Sequence, residues 1–290
     1  MAINWYPGHM FKAKKELANA MSGTAVFIEV LDARTPYSSS NPMIREIRGY
    51  IPCLRILNKA DLADSKINLR WQEYFNSLPG GACLINGLDK KLSTESVLTA
   101  CRKLLKSNKV TMKPPFQVVI AGVPNVGKST LINQFADRKV AKTGNEPAVT
   151  KGQQRIKLDL EWYLLDTPGL LWPKFEDQEV GYRLACTGTI RNTAVEAEDI
   201  AWFAAELLLR DYWPALSQRY GLDLKPDQTE DLLQAIASVR GCISKRGKVD
   251  WHKTSEVLLN DFRSGKLGKF SLEKPPPLPS TPNQPVPGSH

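Results

Sequence analysis

The chain has 290 residues, 42% hydrophobic and 24% charged, with a net charge of +9. That balance describes a globular protein with material for one large or two ordinary domains, and no apolar run approaches the roughly 18 residues a membrane helix needs. The surplus positive charge suits a polyanionic partner. The start, Met1 to Pro7, lacks a basic-then-apolar leader, and the five cysteines show no C-x-x-C spacing. They read as reduced core thiols of a cytoplasmic protein rather than as disulfides or zinc ligands.

In chain order, residues 1–22 open with Asn4-Trp-Tyr-Pro-Gly-His9-Met and continue as a basic helix carrying Lys12, Lys14 and Lys15. Ala25 to Leu31 is a strand that ends at Asp32-Ala-Arg34, followed by a polar loop from Ser38 to Asn41 and a short helix from Met43 to Tyr50. Pro52 to Leu57 is the next strand and runs directly into Asn58-Lys59-Ala60-Asp61. A helix over Ile67 to Leu78, a strand over Ala82 to Ile85 and a helix over Thr94 to Leu105 complete an alternation that implies a doubly wound, mostly parallel sheet.

Lys106 to Pro115 is a polar connector into the apolar strand Phe116 to Ala121. A long Gly/Pro/Thr loop covers Lys139 to Gly152, and two strands, Arg155 to Leu160 and Trp162 to Leu165, deliver Asp166-Thr-Pro-Gly169. From about Glu176 strand patterns give way to helical ones, through Val180–Cys186, Ala197–Tyr220, Asp231–Val239 and Ser255–Phe262. The expected organisation is an α/β domain over residues 1–175, an all-α domain over 176–273 and a Pro-rich, disordered tail over 274–290.

The stretch Gly122-Val-Pro-Asn125-Val126-Gly127-Lys128-Ser129-Thr130 sits between that strand and a helix with Leu131, Ile132 and Phe135 on one face. This is the context a phosphate-binding P-loop requires. Backbone N–H groups from Asn125 to Thr130 would cradle the phosphates, with the positive end of the helix dipole behind them. Lys128 would reach the β- and γ-phosphates, and Ser129 would ligate Mg²⁺.

Three further elements complete a GTP site. Asp166 can meet Mg²⁺ through its water shell, and the Gly169 N–H can sense the γ-phosphate. Thr150, with Thr143 as the alternative, lies where a loop can close onto Mg²⁺. Asp61 can accept from guanine N1–H and its amine, a donor pair that adenine lacks. Asn58 can hold the loop and the purine edge, while the stem of Lys59 packs on the ring.

Ordinary GTPases place the P-loop first, whereas here Asn58 precedes Gly122. The fold still closes if the chain is circularly permuted, because domain termini commonly lie close together.

Five stretches match one family: Trp5-Tyr-Pro-Gly-His9-Met with Lys12, Asp32-Ala-Arg34-Thr-Pro, Asn58-Lys-Ala-Asp61-Leu, the P-loop, and Asp166-Thr-Pro-Gly-Leu170. They resemble the circularly permuted ribosome biogenesis GTPase A family of bacteria, with mitochondrial relatives. The resemblance implies a monomeric, GTP-hydrolysing assembly factor for the large (50S) ribosomal subunit that contacts its rRNA and is stimulated by it. It makes His9 the substitute for the water-orienting Gln whose position Leu170 occupies. It also makes Asn125 a ligand of an activating K⁺. Ala148 stands where the family commonly has Gly, and Cys83 to Asp89 matches the guanine-backing loop only loosely. The second function considered is a GTP-dependent rRNA-binding checkpoint in which hydrolysis is incidental.

Charge supports an RNA partner. Between Arg240 and Lys269 eight basic residues (Arg240, Lys245, Arg246, Lys248, Lys253, Arg263, Lys266, Lys269) face three acidic ones (Asp250, Glu256, Asp261), with Trp251 and His252 among them. Cations grip phosphates and an aromatic can stack on an unpaired base.

Overall fold

The computed structural model describes residues 8–141, 154–172, 175, 177–190 and 196–278. Helix α1 (Gly8–Ala20) buries Leu17 and Ala20 and hands over to β1 (Thr24–Asp32). Every residue of β1 is buried. A strand covered on both faces needs apolar residues throughout, which is why Ala25 to Leu31 shows no alternation. Next come α2 (Pro36–Ser39) and α3 (Pro42–Arg48). The turn α2 lies in what reads as a polar loop: Pro36 presets its first φ, and the Ser39 hydroxyl donates to the Thr35 carbonyl at 2.6 Å. Asn41 caps α3 by accepting from the Met43 N–H at 3.0 Å.

Strand β2 (Cys53–Asn58) leads through a 3₁₀ turn to α4 (Ser65–Ser77), capped by Asp64. Then follow β3 (Gly81–Ile85), α5 (Thr94–Ser107), β4 (Phe116–Gly122) and α6 (Lys128–Ala136). Strands β5 (Gln154–Lys157) and β6 (Trp162–Asp166) form an antiparallel hairpin. β5 is shorter than the expected Arg155 to Leu160. Asp159 accepts from the N–H groups of Glu161 and Trp162 at 2.8 and 2.7 Å, so its side chain closes the turn early.

The sheet order is β3-β2-β1-β4-β6-β5, and all neighbours but β5–β6 are parallel. The five parallel strands therefore end on one edge, the crevice where doubly wound sheets bind ligands. The strand carrying Asn58 is separated from the P-loop strand only by β1, although it precedes it by a long stretch of chain.

The remaining helices among the described residues are α7 (Gln178–Cys186), α8 (Ala197–Asp211), α9 (Trp213–Tyr220), α10 (Thr229–Val239) and α11 (Trp251–Arg263). The sequence pattern predicts one helix over Ala197–Tyr220, and the structure has two. Pro214 has no N–H to offer and its ring would clash with the carbonyl four residues back, so α8 closes with the Tyr212 N–H on Leu208 O at 2.8 Å. One apolar core runs from the sheet residues Val118 and Ile120 through Leu170 and Leu184 to Leu208, Leu258 and Phe270.

After α11 the chain returns to the sheet as a strap. The Phe270 N–H donates to Leu62 O at 3.0 Å, the Leu272 N–H to Arg34 O at 2.8 Å and the Trp71 indole N–H to Glu273 O at 3.3 Å. The Glu273 carboxylate accepts from the N–H groups of Tyr37 and Ser38 at 2.7 and 3.0 Å, and from the Ser38 hydroxyl. Burial pushes its pKa above the ordinary glutamate value, and the Ser38 hydroxyl and Arg183 offset this only in part.

Candidate functional site: two loops on one sheet edge

The P-loop leaves β4 at Gly122, where an added Cβ would lie 2.6 Å from the Val30 carbonyl of the neighbouring strand. Only glycine allows that approach. Beyond it Asn125 and Gly127 both take left-handed backbone, at φ 57° and 93°, before α6 begins at Lys128. Such alternation turns successive N–H groups toward one point, the concavity that receives an anion. A Cβ at Gly127 would collide with the side-chain amide of Asn58.

That near-collision marks the joining of the two loops. Asn58 donates from Nδ2 to Val126 O at 2.8 Å, and Lys59 from Nζ to Asn125 O at 2.6 Å. Lys59 itself is left-handed, at φ 58°, a cost that a non-glycine residue bears where surrounding contacts hold it. Its ammonium also lies 3.4 Å from the buried carboxylate of Asp32. Burial lowers the Lys59 pKa, partly offset by Asp32.

Asp61 follows in the 3₁₀ turn, and its Oδ1 accepts from the Leu88 N–H at 2.9 Å. Each carboxylate oxygen has two acceptor sites, so the contact orients the group and leaves room for a base edge. The loop after β3 backs this turn closely: a Cβ at Gly87 would lie 2.8 Å from the Asp61 nitrogen.

Asn86 does what the sequence reading did not assign to it. Its Nδ2 donates to Asn58 Oδ1 at 2.7 Å, while its own Oδ1 accepts from the Leu92 N–H at 2.9 Å. Asn58 is thereby fixed at both ends of its amide. The available signal was positional: Asn86 follows strand Ala82 to Ile85 as Asn58 follows its own strand.

Asp32 and Arg34 form a second unassigned pair. Arg34 grips Asp32 with two donors, Nε at 2.9 Å and Nη2 at 2.8 Å, and both side chains are buried. Burial works against the Asp32 charge, yet the guanidinium and Lys59 hold its carboxyl well below the usual carboxylate range. Removing one member of such a buried pair costs about 3–5 kcal/mol, because the other is left charged and unpaired.

On the phosphate side Lys128 and Asp166 form an ion pair with each other, and both are buried. The first turn of α6 and the end of β6 are thus within one side chain's reach. The Ser129 hydroxyl and the Asp166 carboxylate offer the oxygen donors a hard cation takes, so these residues fit Mg²⁺. Two protein oxygens do not fill the octahedral shell of Mg²⁺, so phosphate oxygens and water would supply the rest. Gly169 passes Pro124 so closely that a Cβ would lie 3.2 Å from its Cα. Leu170 is buried, its N–H donating to Gly122 O at 3.1 Å and its carbonyl accepting from Asn41 at 2.9 Å.

The structure brings together Asn58, Lys59, Asp61, Asn125, Val126, Gly127 and Lys128, with Ser129 and Thr130 in the first turn of α6. Thr150 and its alternative Thr143 lie outside the described residues. His9 belongs to the first turn of α1, and its side chain lies outside the described residues too. All five cysteines are free and buried, and burial pushes the Cys53 thiol to about 11 and those of Cys101 and Cys186 to about 12. These three are not primed as nucleophiles. No described helix is long and apolar enough to cross a membrane.

The profile of the 50S ribosome-binding GTPase family matches residues 117–205. Ribosome biogenesis GTPase A of Bacillus cereus is 43% identical over 281 residues, 95% of this chain and 95% of that protein. Mouse mitochondrial ribosome-associated GTPase 1 is 31% identical over 93% of this chain and 90% of its own length. Among solved structures, GNP-bound YlqF from T. maritima superposes with a TM-score of 0.63 over 91% of this chain and 98% of that one, at 23% identity, a likeness of fold. The permuted order of the loops and the identity to these relatives along nearly the whole chain agree: this chain is a GTP-hydrolysing member of the ribosome biogenesis GTPase A family.

Proposed function

We propose that this GTPase drives a late step in large (50S) ribosomal subunit assembly, with hydrolysis switching its affinity for the maturing particle. The observation that carries this is the fusion of base loop and P-loop through Asn58 and Lys59, in a chain whose relatives are named for ribosome biogenesis and ribosome association. The reaction is GTP plus water to GDP plus phosphate. Asp61 accepts from the guanine edge, Asn58 holds the loop and the Lys59 stem covers the ring. The backbone from Asn125 to Thr130 and the Lys128 ammonium hold the β- and γ-phosphates, and the Gly169 N–H reports the last of them. Ser129 and Thr150, and Asp166 through water, would hold Mg²⁺, which would supply positive charge to the phosphates. Leu170 is apolar and turned inward, so His9 is the residue assigned to orient the attacking water, and Asn125 the one assigned to K⁺.

The docking face is the turn between α10 and α11. Lys245, Arg246 and Lys248 are exposed there, and Trp251 packs against the partly exposed Trp202 at 5.7 Å between ring centroids. Not every basic residue of that region faces outward: Arg263 turns in and donates to the Cys186 carbonyl at 3.1 Å. The exposed cations suit rRNA phosphates.

The test is single-turnover GTP hydrolysis by the monomeric chain with and without purified large subunits. Acceleration by the particle is expected. Equal rates, with binding intact, would favour the checkpoint in which hydrolysis is incidental.

A further inference from the structure

Helix α7 ends in a glycine cap. The Thr189 N–H donates to Leu184 O at 2.9 Å and the Gly188 N–H to Ala185 O at 3.0 Å, with Gly188 at φ 78°. This Schellman arrangement leaves the carbonyls of Cys186, Thr187 and Gly188 without helical partners, at the negative end of the helix dipole.

Each carbonyl takes a donor from a different part of the molecule. Arg263 of α11 donates from Nε to Cys186 O at 3.1 Å and from Nη2 to Ala185 O at 2.7 Å. Arg34, in the loop after β1, donates from Nη2 to Thr187 O at 3.4 Å. Asn125 of the P-loop donates from Nδ2 to Gly188 O at 3.0 Å. The contacts then close on themselves. Arg34 holds Asp32, Asp32 lies 3.4 Å from the Lys59 ammonium, and Lys59 donates to Asn125 O at 2.6 Å. A shift of α7 against the sheet therefore pulls on the P-loop through Asn125 and on the base loop through Arg34, Asp32 and Lys59.

We propose that the C-terminal carbonyls of α7 form a joint through which the helical region sets the affinity of the nucleotide site, with Asn125 and Arg34 as its two positioning residues. Coupling between sites is reciprocal, so whatever docks on and tilts the helices changes nucleotide affinity, and nucleotide exchange changes docking. This route is separate from the connection of the Leu170 segment to α7 along the chain. It rests on the assignment of the two loops as the GTP site, and its test needs no ribosomal particle.

The variant of choice is Arg263→Met, because Arg263 holds α7 through the Cys186 and Ala185 carbonyls, whereas Arg34 carries a buried ion pair. The full chain is titrated with fluorescent GDP and with a fluorescent non-hydrolysable GTP analogue, and folding is followed by circular dichroism. With the fold intact, Arg263→Met is expected to shift the ratio of the two affinities by about fivefold or more, the lower end of ordinary coupling between sites. In an Asn125→Ala background the same substitution is expected to shift it less than about twofold, because coupled residues are non-additive. An unchanged ratio in folded Arg263→Met, or an equal shift in both backgrounds, overturns the joint. If Arg263→Met does not fold, Arg263→Lys serves under the same criteria, since an ammonium keeps the charge and loses the two-point fork. Failure of wild type to prefer guanine nucleotides would instead refute the site assignment.

Discussion

The side-chain amide nitrogen of Asn58 lies 2.8 Å from the carbonyl oxygen of Val126 and donates to it. That bond ties the end of β2 to the turn that starts α6, two segments far apart in sequence. Asn86 holds the other end of the same amide at 2.7 Å, so one asparagine is locked between the loop after β3 and the P-loop. The loop after β2, proposed to read the base, and the P-loop therefore share one rigid element.

Base choice follows from Asp61, oriented by the Leu88 N–H. Asp61→Asn is expected to weaken GTP binding about tenfold to a hundredfold, the loss of hydrogen bonds to a charged acceptor. It should shift preference toward xanthosine triphosphate, because an amide can donate to the xanthine carbonyl where the carboxylate accepted from the guanine amine. Competitive binding of the two nucleotides measures this, and unchanged GTP affinity would remove Asn58–Asp61 from the base site.

Ion dependence follows from Asn125. With its Nδ2 committed to Gly188 O at 3.0 Å, the acceptor oxygen is the part of the amide left to a cation. K⁺ is expected to accelerate hydrolysis over Na⁺ at matched ionic strength, and Asn125→Ala to abolish the difference. Equal wild-type rates in the two salts would sink this assignment.

Activation tests His9 and the helical region together. His9→Ala is expected to lose about 10²–10⁴ of the particle-stimulated rate, the usual worth of a general acid–base group, while keeping GTP and subunit binding. Truncation after about Leu171 should keep nucleotide binding and lose stimulation. Docking should weaken steeply with salt. Single-turnover rates at saturating subunit decide: full stimulation in His9→Ala removes the histidine from catalysis, and full stimulation in the truncation removes the helices from docking.

A pH signature belongs to the strap. Burial raises the Glu273 pKa above its unfolded value, so the folded chain holds that proton more tightly than the unfolded one. This contribution to stability is full below the unfolded glutamate pKa and is lost as pH rises through the folded one. Glu273→Gln removes the titration. The difference in unfolding free energy, wild type minus variant, should therefore fall as pH climbs from about 4.3 and then level off. A difference that is flat across that window would show that the Glu273 proton is not linked to folding.

The sequence by itself determined the P-loop, the permuted order and the α/β-then-α organisation, because each is written in local spacing. Gly122, Gly127 and Lys128 sit between an apolar strand and an amphipathic helix, and Asn58 ends a strand. Tertiary structure alone decided which polar residues hold those motifs in place. Asn86 and Arg34 each follow a strand, but neither position names the partner it holds, and Gly188 carries no local pattern that distinguishes it from an ordinary loop residue. Their roles exist only because parallel strands end on one edge and because the cap of α7 turns the Thr187 and Gly188 carbonyls toward that edge. An orphaned carbonyl takes whichever donor the fold brings within reach, and only the packing of distant segments settles which donor that is.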